Sequence, residues 1–339
     1  MSIPLVRAAA LAPIMRWMQD HERDTQALLD EIDLGWLSRD NTLDPIPLRQ
    51  ACIALCRAAQ QEGENLPWRA VGDKGFLELG LLASIGLQAA TPRQIMGLVQ
   101  VGMHAHCTHE TFNISATKNG DLIVEDGWMT PFDDAEQLHL VQQYCTAMVD
   151  MICKLTFCSE PVLRHVNMVP HPRTGFTHLN DTLGDRVSSN GTKVLRIVIP
   201  QDVADSRIHL DGIEVAKLPT AADFVPLREG NSIAYPVSLL IRGMLRSGPV
   251  DIDRICSAVG TTRRSLQRGL SLEGTTFSEV LDLTRRHMAK EMMRDEACSL
   301  SAVAASLGYK NQSAFSRAFQ RWEGKSARQV KKVLTSEKA

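Results

Sequence analysis

Two segments near the end of the chain repeat one pattern, and that repetition limits the folds open to it. VDIDRICSAVGTTRRSLQRGL spans 250–270, and SLSAVAASLGYKNQSAFSRAFQ spans 299–320. Each opens on a helix N-cap candidate, Asp251 or Ser299, and carries a small residue inside a short helix, Ala258 or Ala305. Each turns at Val259-Gly260 or Gly308-Tyr309 and continues into a second helix led by polar residues. Small residues let two helices approach closely, and glycine takes the left-handed turn between them. In the second helices the apolar residues fall on one stripe: Leu266 and Leu270 in one, Phe315, Phe319 and Trp322 in the other. FSEVLDLTRRHMAKEMMRDEA (277–297), between them, reads as one long amphipathic helix.

Those stripes account for a core and leave a polar face on each second helix. The candidate site residues are Arg263, Arg264, Gln267 and Arg268 in the first, and Gln312, Ser313, Ser316, Arg317 and Arg321 in the second. Short polar groups and long cations on one helix face suit base edges and phosphates. This is the arrangement of a helix-turn-helix, whose second helix enters the DNA major groove. A stiff spacer would set two such helices about one turn of DNA apart, ~34 Å. The charge distribution agrees. From Leu240 to Ala339 there are 18 Lys and Arg against 10 Asp and Glu, whereas the first 239 residues carry 19 against 29. A net charge of −2 thus hides an acidic body and a basic end, the asymmetry of a polyanion-binding module. On charge alone, a solvated basic face with no partner remains open. Arg285 and Arg286 suit either a phosphate contact or a structural salt bridge.

Upstream the pattern is mixed. Residues 25–70 read as helical, and Thr91 with Pro92 reads as the start of another helix. Phe112, Ile114 and Ala116 alternate, Asn119-Gly120 supplies a hairpin turn, and Leu122 and Val124 resume the alternation. Residues 133–157 form a long helical pattern, 162–169 and 193–200 read as strands, and Asn190-Gly191 reads as a turn. The predicted fold is an α+β domain over 1–225, ending near Phe224, and a linker over 226–239 marked by Pro226 and Pro236. An all-α domain follows over 240–335, made of two helix-turn-helix units joined by a long helix.

The final hundred residues resemble the DNA-binding domain of the AraC/XylS family of transcription regulators. The matching residues include Thr262, Arg264, Leu266, Arg268 and Leu270; Gly274, Phe277, Arg285 and Ala289; Leu307-Gly308-Tyr309, Ser313, Phe315, Arg317 and Phe319; and Gly324 and Ser326. Where the family usually carries proline after the Gly-x-Ser, this chain has Ala327, which leaves the start of the last helix without its rigid residue. The resemblance implies that Arg264, Gln267 and Arg268, and Gln312, Ser313, Ser316 and Arg317, face DNA. GFLELGLLASIGLQAATPRQIMGL and GDRVSSNGTKVLRIVIP are similar to segments of the arabinose-binding-type effector domain of the ornithine-utilisation and virulence-regulator branch. The implied partners are promoter DNA, RNA polymerase and a small-molecule effector, with a homodimer as one arrangement. The implied function is a regulator controlled by a small-molecule effector in the N-terminal domain, expected to act as an activator.

Other chemistry is weaker in the sequence. His104, His106, Cys107 and His109 form a tempting metal set, since His-x-His on a strand puts both rings on one side. No CxxC or HExxH accompanies it, so no metal, cofactor or catalytic residue is assigned. The bland alternative is histidines that lead into the hairpin and line a pocket. Cys153 and Cys158, five apart on a helix, would lie on differing faces and not pair. The eight scattered cysteines suggest a reducing compartment. The N-terminal apolar run, bracketed by Arg7 and Arg16 and broken by Pro13, is short for a secretory core, and no run reaches a membrane span. The expectation is a cytoplasmic regulator. Its rivals are a metal- or thiol-dependent enzyme or sensor fused to a DNA-binding domain, and an N-terminal domain serving only dimerisation or a protein partner.

Overall fold

The computed structural model describes residues 2–37, 42–129, 132, 134–189, 191–210 and 225–336. Asp133, Asn190 and Phe224, which figured in the expected helix start, turn and domain end, lie outside those residues. The chain divides into two units. One comprises Pro4–Asp33 and Leu37–Leu227; the other comprises Met1–Ile3, Leu34–Trp36 and Arg228–Ala339.

In the first unit, prolines decide where helices stop. Pro45 and Pro47 deny their neighbours backbone donors, so 25–70 is not one helical stretch. Strand β1 (Leu5–Arg7) and β2 (Pro45–Pro47) pair antiparallel, and around them lie α1 (Ala12–Asp20), α2 (Thr25–Glu31), α3 (Leu48–Glu62) and α4 (Leu66–Val71). The apolar N-terminal run is therefore a strand, a short 3-10 turn and α1. Arg7 is 1% exposed, and its guanidinium donates to three carbonyls, of Ala105, Leu43 and Val225, at 2.8, 2.8 and 2.6 Å. A buried cation is tolerated because its donors are spent on backbone oxygens.

Next come α5 (Leu81–Gly86) and α6 (Pro92–His106), the latter capped by Thr91, which accepts from the Gln94 amide at 3.3 Å. The expected hairpin is present as β3 (Glu110–Ala116) and β4 (Leu122–Trp128), with Gly120 at φ +84° in the turn. Helix α7 (Ala135–Lys154) follows, ending shortly before Phe157 turns to φ +55°. The strands expected over 162–169 and 193–200 shorten to β5 (His165–Asn167) and β7 (Leu195–Ile199), with β6 (Val187–Ser188) between them in sequence and α8 (Gln201–Asp205) after. The sheet order is β3-β4-β7-β5-β6, antiparallel except for β5–β6. Gln142, fully buried in α7, donates to the Lys193 carbonyl at 2.9 Å and accepts from the Val169 amide at 2.8 Å. It ties the core helix to the chain beside β5 and β7.

The second unit is helical: α9 (Ala234–Met244), α10 (Ile252–Val259), α11 (Arg263–Leu272), α12 (Phe277–Met293), α13 (Leu300–Ser306), α14 (Gln312–Glu323) and α15 (Ala327–Ser336). Part of the expected linker is thus helix. Pro236 sits in the first turn of α9, where a missing amide costs nothing. Glu273 caps that turn, accepting from Ser232 Oγ at 3.0 Å and from the Ala234 and Ile233 amides. Small residues set the helix contacts. Ala258 and Ala304 are 1% exposed, so in α13 it is Ala304 that admits the neighbouring helix, while Ala305, expected in that role, faces out. A Cβ on Gly243 of α9 would lie 2.5 Å from the Trp36 ring. Gly243→Ala is therefore expected to overpack this contact and cost about 1–3 kcal/mol, read as a lower midpoint in urea.

Candidate functional site

Helices α11 and α14 are built alike. Thr262 caps α11 by accepting from the Ser265 amide at 3.1 Å, and Asn311 caps α14 by accepting from the Ala314 amide at 2.9 Å. Each cap follows a glycine in the left-handed region, Gly260 at φ +69° and Gly308 at +73°. At 3.6 residues per turn, Leu266, Gly269 and Leu270 occupy the arc of α11 that Phe315, Ala318 and Phe319 occupy in α14. All six are buried. The opposite arc holds Arg263, Arg264, Gln267 and Arg268 in one helix and Gln312, Ser313, Ser316 and Arg317 in the other. All of these are exposed except Ser316, which is half-buried.

Their electrostatic states differ. Arg263 meets Asp253 at 3.3 Å and Arg321 meets Asp282 at 2.8 Å, so both candidates are engaged within the protein. Arg264, Arg268 and Arg317 make no ion pair among the described residues. A cation without a carboxylate partner offers its charge to a phosphate at no exchange cost, which ranks these three above Arg263 and Arg321. Arg286 pairs with Glu323, as does Lys290 at 2.7 Å, so Arg286 is engaged within the protein. Arg285 lies over the Tyr309 ring at 4.9 Å. The departure at Ala327 is compensated. Ser326 Oγ accepts from the Gln329 amide at 3.3 Å, and Gln329 Oε1 accepts from the Ser326 amide at 3.1 Å, a reciprocal cap that starts α15 without proline.

A helix-turn-helix domain model matches residues 255–332, which spans α11 to α14. The C-terminal domain is a helix-turn-helix domain of the AraC type. The chain is 37% identical over 75 residues to the ornithine utilization regulator of Pseudomonas aeruginosa, 22% of each chain. It is 33% identical over 92 residues to the transcriptional regulator VirS of Mycobacterium tuberculosis, 27% of each. The matched stretch thus spans about a quarter of the length of these relatives. The crystal structure of the transcriptional regulator CdpR from Pseudomonas aeruginosa aligns over 94% of this chain and 96% of that one, at 19% identity and a TM-score of 0.38.

Outside the AraC-type domain, the other unit holds a half-open cavity with about 120 Å³ of free volume. Its walls are mostly apolar and include Phe76, Met96, Met103, Phe112 and Ile152, but His106, Glu110 and Cys145 also line it. The tempting set at 104–109 is not brought together by the fold. His104 and His106 lie on α6, not a strand, so the helical period turns them apart. His104 is exposed and His106 buried, while His109 Nδ1 bonds Thr108 Oγ1 at 2.7 Å. Cys158 lies beyond the end of α7, so Cys153 and Cys158 do not share a helix. All eight cysteines are unbridged, and burial pushes the Cys52, Cys107, Cys145 and Cys153 thiols up, away from the thiolate that thiol chemistry needs.

Sequence reasoning missed the acidic pole of the cavity. Glu110 and Trp128 face each other across β3 and β4, as do Phe112 and Asp126. Asp126 is 1% exposed, and neither of its carboxylate oxygens has a hydrogen-bond partner of good geometry. Ligand atoms of Glu110, Asp126 and Cys145 all lie within 4.8 Å of one another, and these three are the group among the described residues that meets the spacing of a metal centre. Burial raises the Glu110 carboxyl well above its usual range, with the Asp126 charge adding to it, and burial raises Asp126 to about 7. Folding therefore takes up a proton at Asp126, and its contribution to stability is lost as pH rises from the ordinary carboxyl range through about 7. Asp126→Asn removes that penalty. It is expected to raise the melting temperature near pH 8 and to leave it nearly unchanged near pH 4, in paired melts of the two proteins.

A second missed cluster is structural. His139 Nδ1 bonds the Val169 carbonyl at 2.7 Å and its Nε2 meets His178 Nε2 at 2.9 Å. Thr174 Oγ1 donates to Glu64 at 2.6 Å beside His171 Nδ1 at 3.0 Å. Three histidines from 139, 171 and 178 thereby hold the turn after β5 against α7. No signal at their sequence spacing announces it.

Proposed function

We propose that this chain is a sequence-specific, double-stranded DNA-binding transcription regulator that acts in the cytoplasm. Its two helix-turn-helix units are α10–α11 and α13–α14, joined by α12. One observation carries the reading: α11 and α14 expose matching arcs that bear Arg264, Gln267 and Arg268 on one and Gln312, Ser313 and Arg317 on the other, with Ser316 half-buried beside them. A 17-residue helix between them, about 26 Å long at 1.5 Å per residue, is stiff enough to set both in successive major grooves of one duplex. Thr276 and Glu279 close a capping box at its start, which holds that end against fraying. The unit over Pro4–Leu227 binds a small-molecule effector in its cavity, and effector binding shifts how the DNA-binding helices are presented, singly or in a homodimer. Promoter-bound protein then contacts RNA polymerase as an activator. Among the described residues no helix is long and apolar enough to cross a membrane.

The test is selection of duplexes from a random library by the full chain, followed by titration of the selected site across salt. The expected result is a bipartite consensus whose halves lie about one helical turn apart, with affinity falling steeply with salt. Recovery of random duplexes with no enrichment would refute sequence-specific binding.

A further inference from the structure

We propose that the cavity of the N-terminal unit binds a small amine with an apolar body, its ammonium seated at Glu110 and Asp126. This deepens the reading of that unit as the effector-binding part and rests on it for the biological consequence, though not for binding itself. Glu110 lines a largely apolar chamber, the Asp126 carboxylate lies within 4.8 Å of it, and both oxygens of Asp126 are left without a good partner. His106, 5% exposed on the cavity wall, has an unpartnered Nδ1 as well. Buried acceptors without donors cost free energy until something with donors arrives. An ammonium brings three donors and the missing charge together. Burial raises both carboxyls, Asp126 to about 7, and a bound cation favours the ionised form of either. Phe112 and Trp128 flank the same pole, and aromatic faces attract a cation.

The walls restrict the rest of the molecule. Among the described residues no lysine or arginine lines the cavity, so a carboxylate on the ligand would find no counter-charge there. That disfavours fatty acids and zwitterionic amino acids alike. A free volume of about 120 Å³ compares with the ~150 Å³ cavity that takes one benzene-sized molecule, so the body is one ring or a short alkyl chain. A bare metal ion would satisfy the two carboxylates and Cys145 but would leave the apolar chamber unexplained.

The experiment is calorimetric titration of the full chain with benzylamine, benzyl alcohol, benzoate and zinc, repeated on Asp126→Asn and Glu110→Gln. Benzylamine is expected to bind about 10-fold or more tighter than benzyl alcohol and to lose that advantage in either variant. Benzyl alcohol should bind all three proteins within about 2-fold, and benzoate should not bind. Equal binding of amine and alcohol by the unaltered chain overturns the proposal without any variant having to fold. So does amine binding that survives both substitutions, tighter binding of benzoate, or stoichiometric zinc with no amine. Adding each compound to a duplex-binding assay separates the two readings. Amine binding that leaves duplex affinity unchanged keeps this inference and removes the effector role. Duplex affinity that answers equally to benzyl alcohol and benzylamine keeps the effector role and removes the amine.

Discussion

Arg268→Ala combined with Arg317→Ala is expected to weaken binding to the selected duplex by about 2–6 kcal/mol, at about 1–3 kcal/mol for each lost contact. The two side chains lie on different helices and share no partner, so the losses should add. Both are exposed and outside any ion pair among the described residues, so neither change should move stability by more than about 0.5 kcal/mol. Binding and folding are thereby read separately. The single variants say more about role. If Arg317 reads a base, Arg317→Ala relaxes one position of the consensus and leaves the others. If it holds a phosphate, all sequences weaken equally and the salt slope falls by about one. Arg263→Ala and Arg321→Ala are the internal contrast. Their guanidiniums already face Asp253 and Asp282, and releasing that pair offsets part of whatever they gain at DNA. Affinity unchanged by the double substitution at both low and high salt would take this face out of the interface.

What the sequence made legible, and what it hid, follows from the range of the interactions. The arcs of α11 and α14 are local: a cap, a glycine turn and an apolar stripe at helical period lie within a dozen residues, so Phe315, Phe319 and Trp322 announce their face without knowledge of the rest. The ion pairs of Arg263 and Arg321 span 10 and 39 residues and were invisible, which is why both stood beside Arg264 and Arg317 as equals. The same limit governs the cavity. Glu110 and Asp126 become neighbours only when β3 and β4 pair, and Cys145 joins them only when α7 packs nearby. One clue was present: on both strands an acidic residue sits at the inward position of an otherwise apolar alternation. His104 and His106 stay apart for the opposite reason. Their two-residue spacing is meaningful on a strand, but α6 runs through them and its period points them apart.

Phe319→Ala is expected to cost the helical unit about 3–5 kcal/mol, the largest effect of any single change considered for it. Phe319 is fully buried in a cluster with Met293, Val303, Leu307 and Phe315, to which α12, α13, α14 and α15 all contribute. Its ring stands 5.5 Å from Phe315 and 6.1 Å from Trp322, so truncation removes aromatic contacts as well as apolar area and leaves a void that four helix ends would have to collapse to fill. A loss of that size is a large part of the stability of an ordinary domain, so α14 should open even where the rest of the chain stays folded. Hydrogen exchange followed by mass spectrometry on peptides from α13 and α14 reads this locally. Amide protection there should fall by about two orders of magnitude or more, while peptides from β4 and α7 keep theirs. Duplex affinity should fall with it in all sequences, because the exposed arc of α14 is only as well placed as the buried one that holds it. Protection that drops less than about 10-fold, or a loss of DNA binding confined to one base position, would mean that Phe319 does not support α14 from the core.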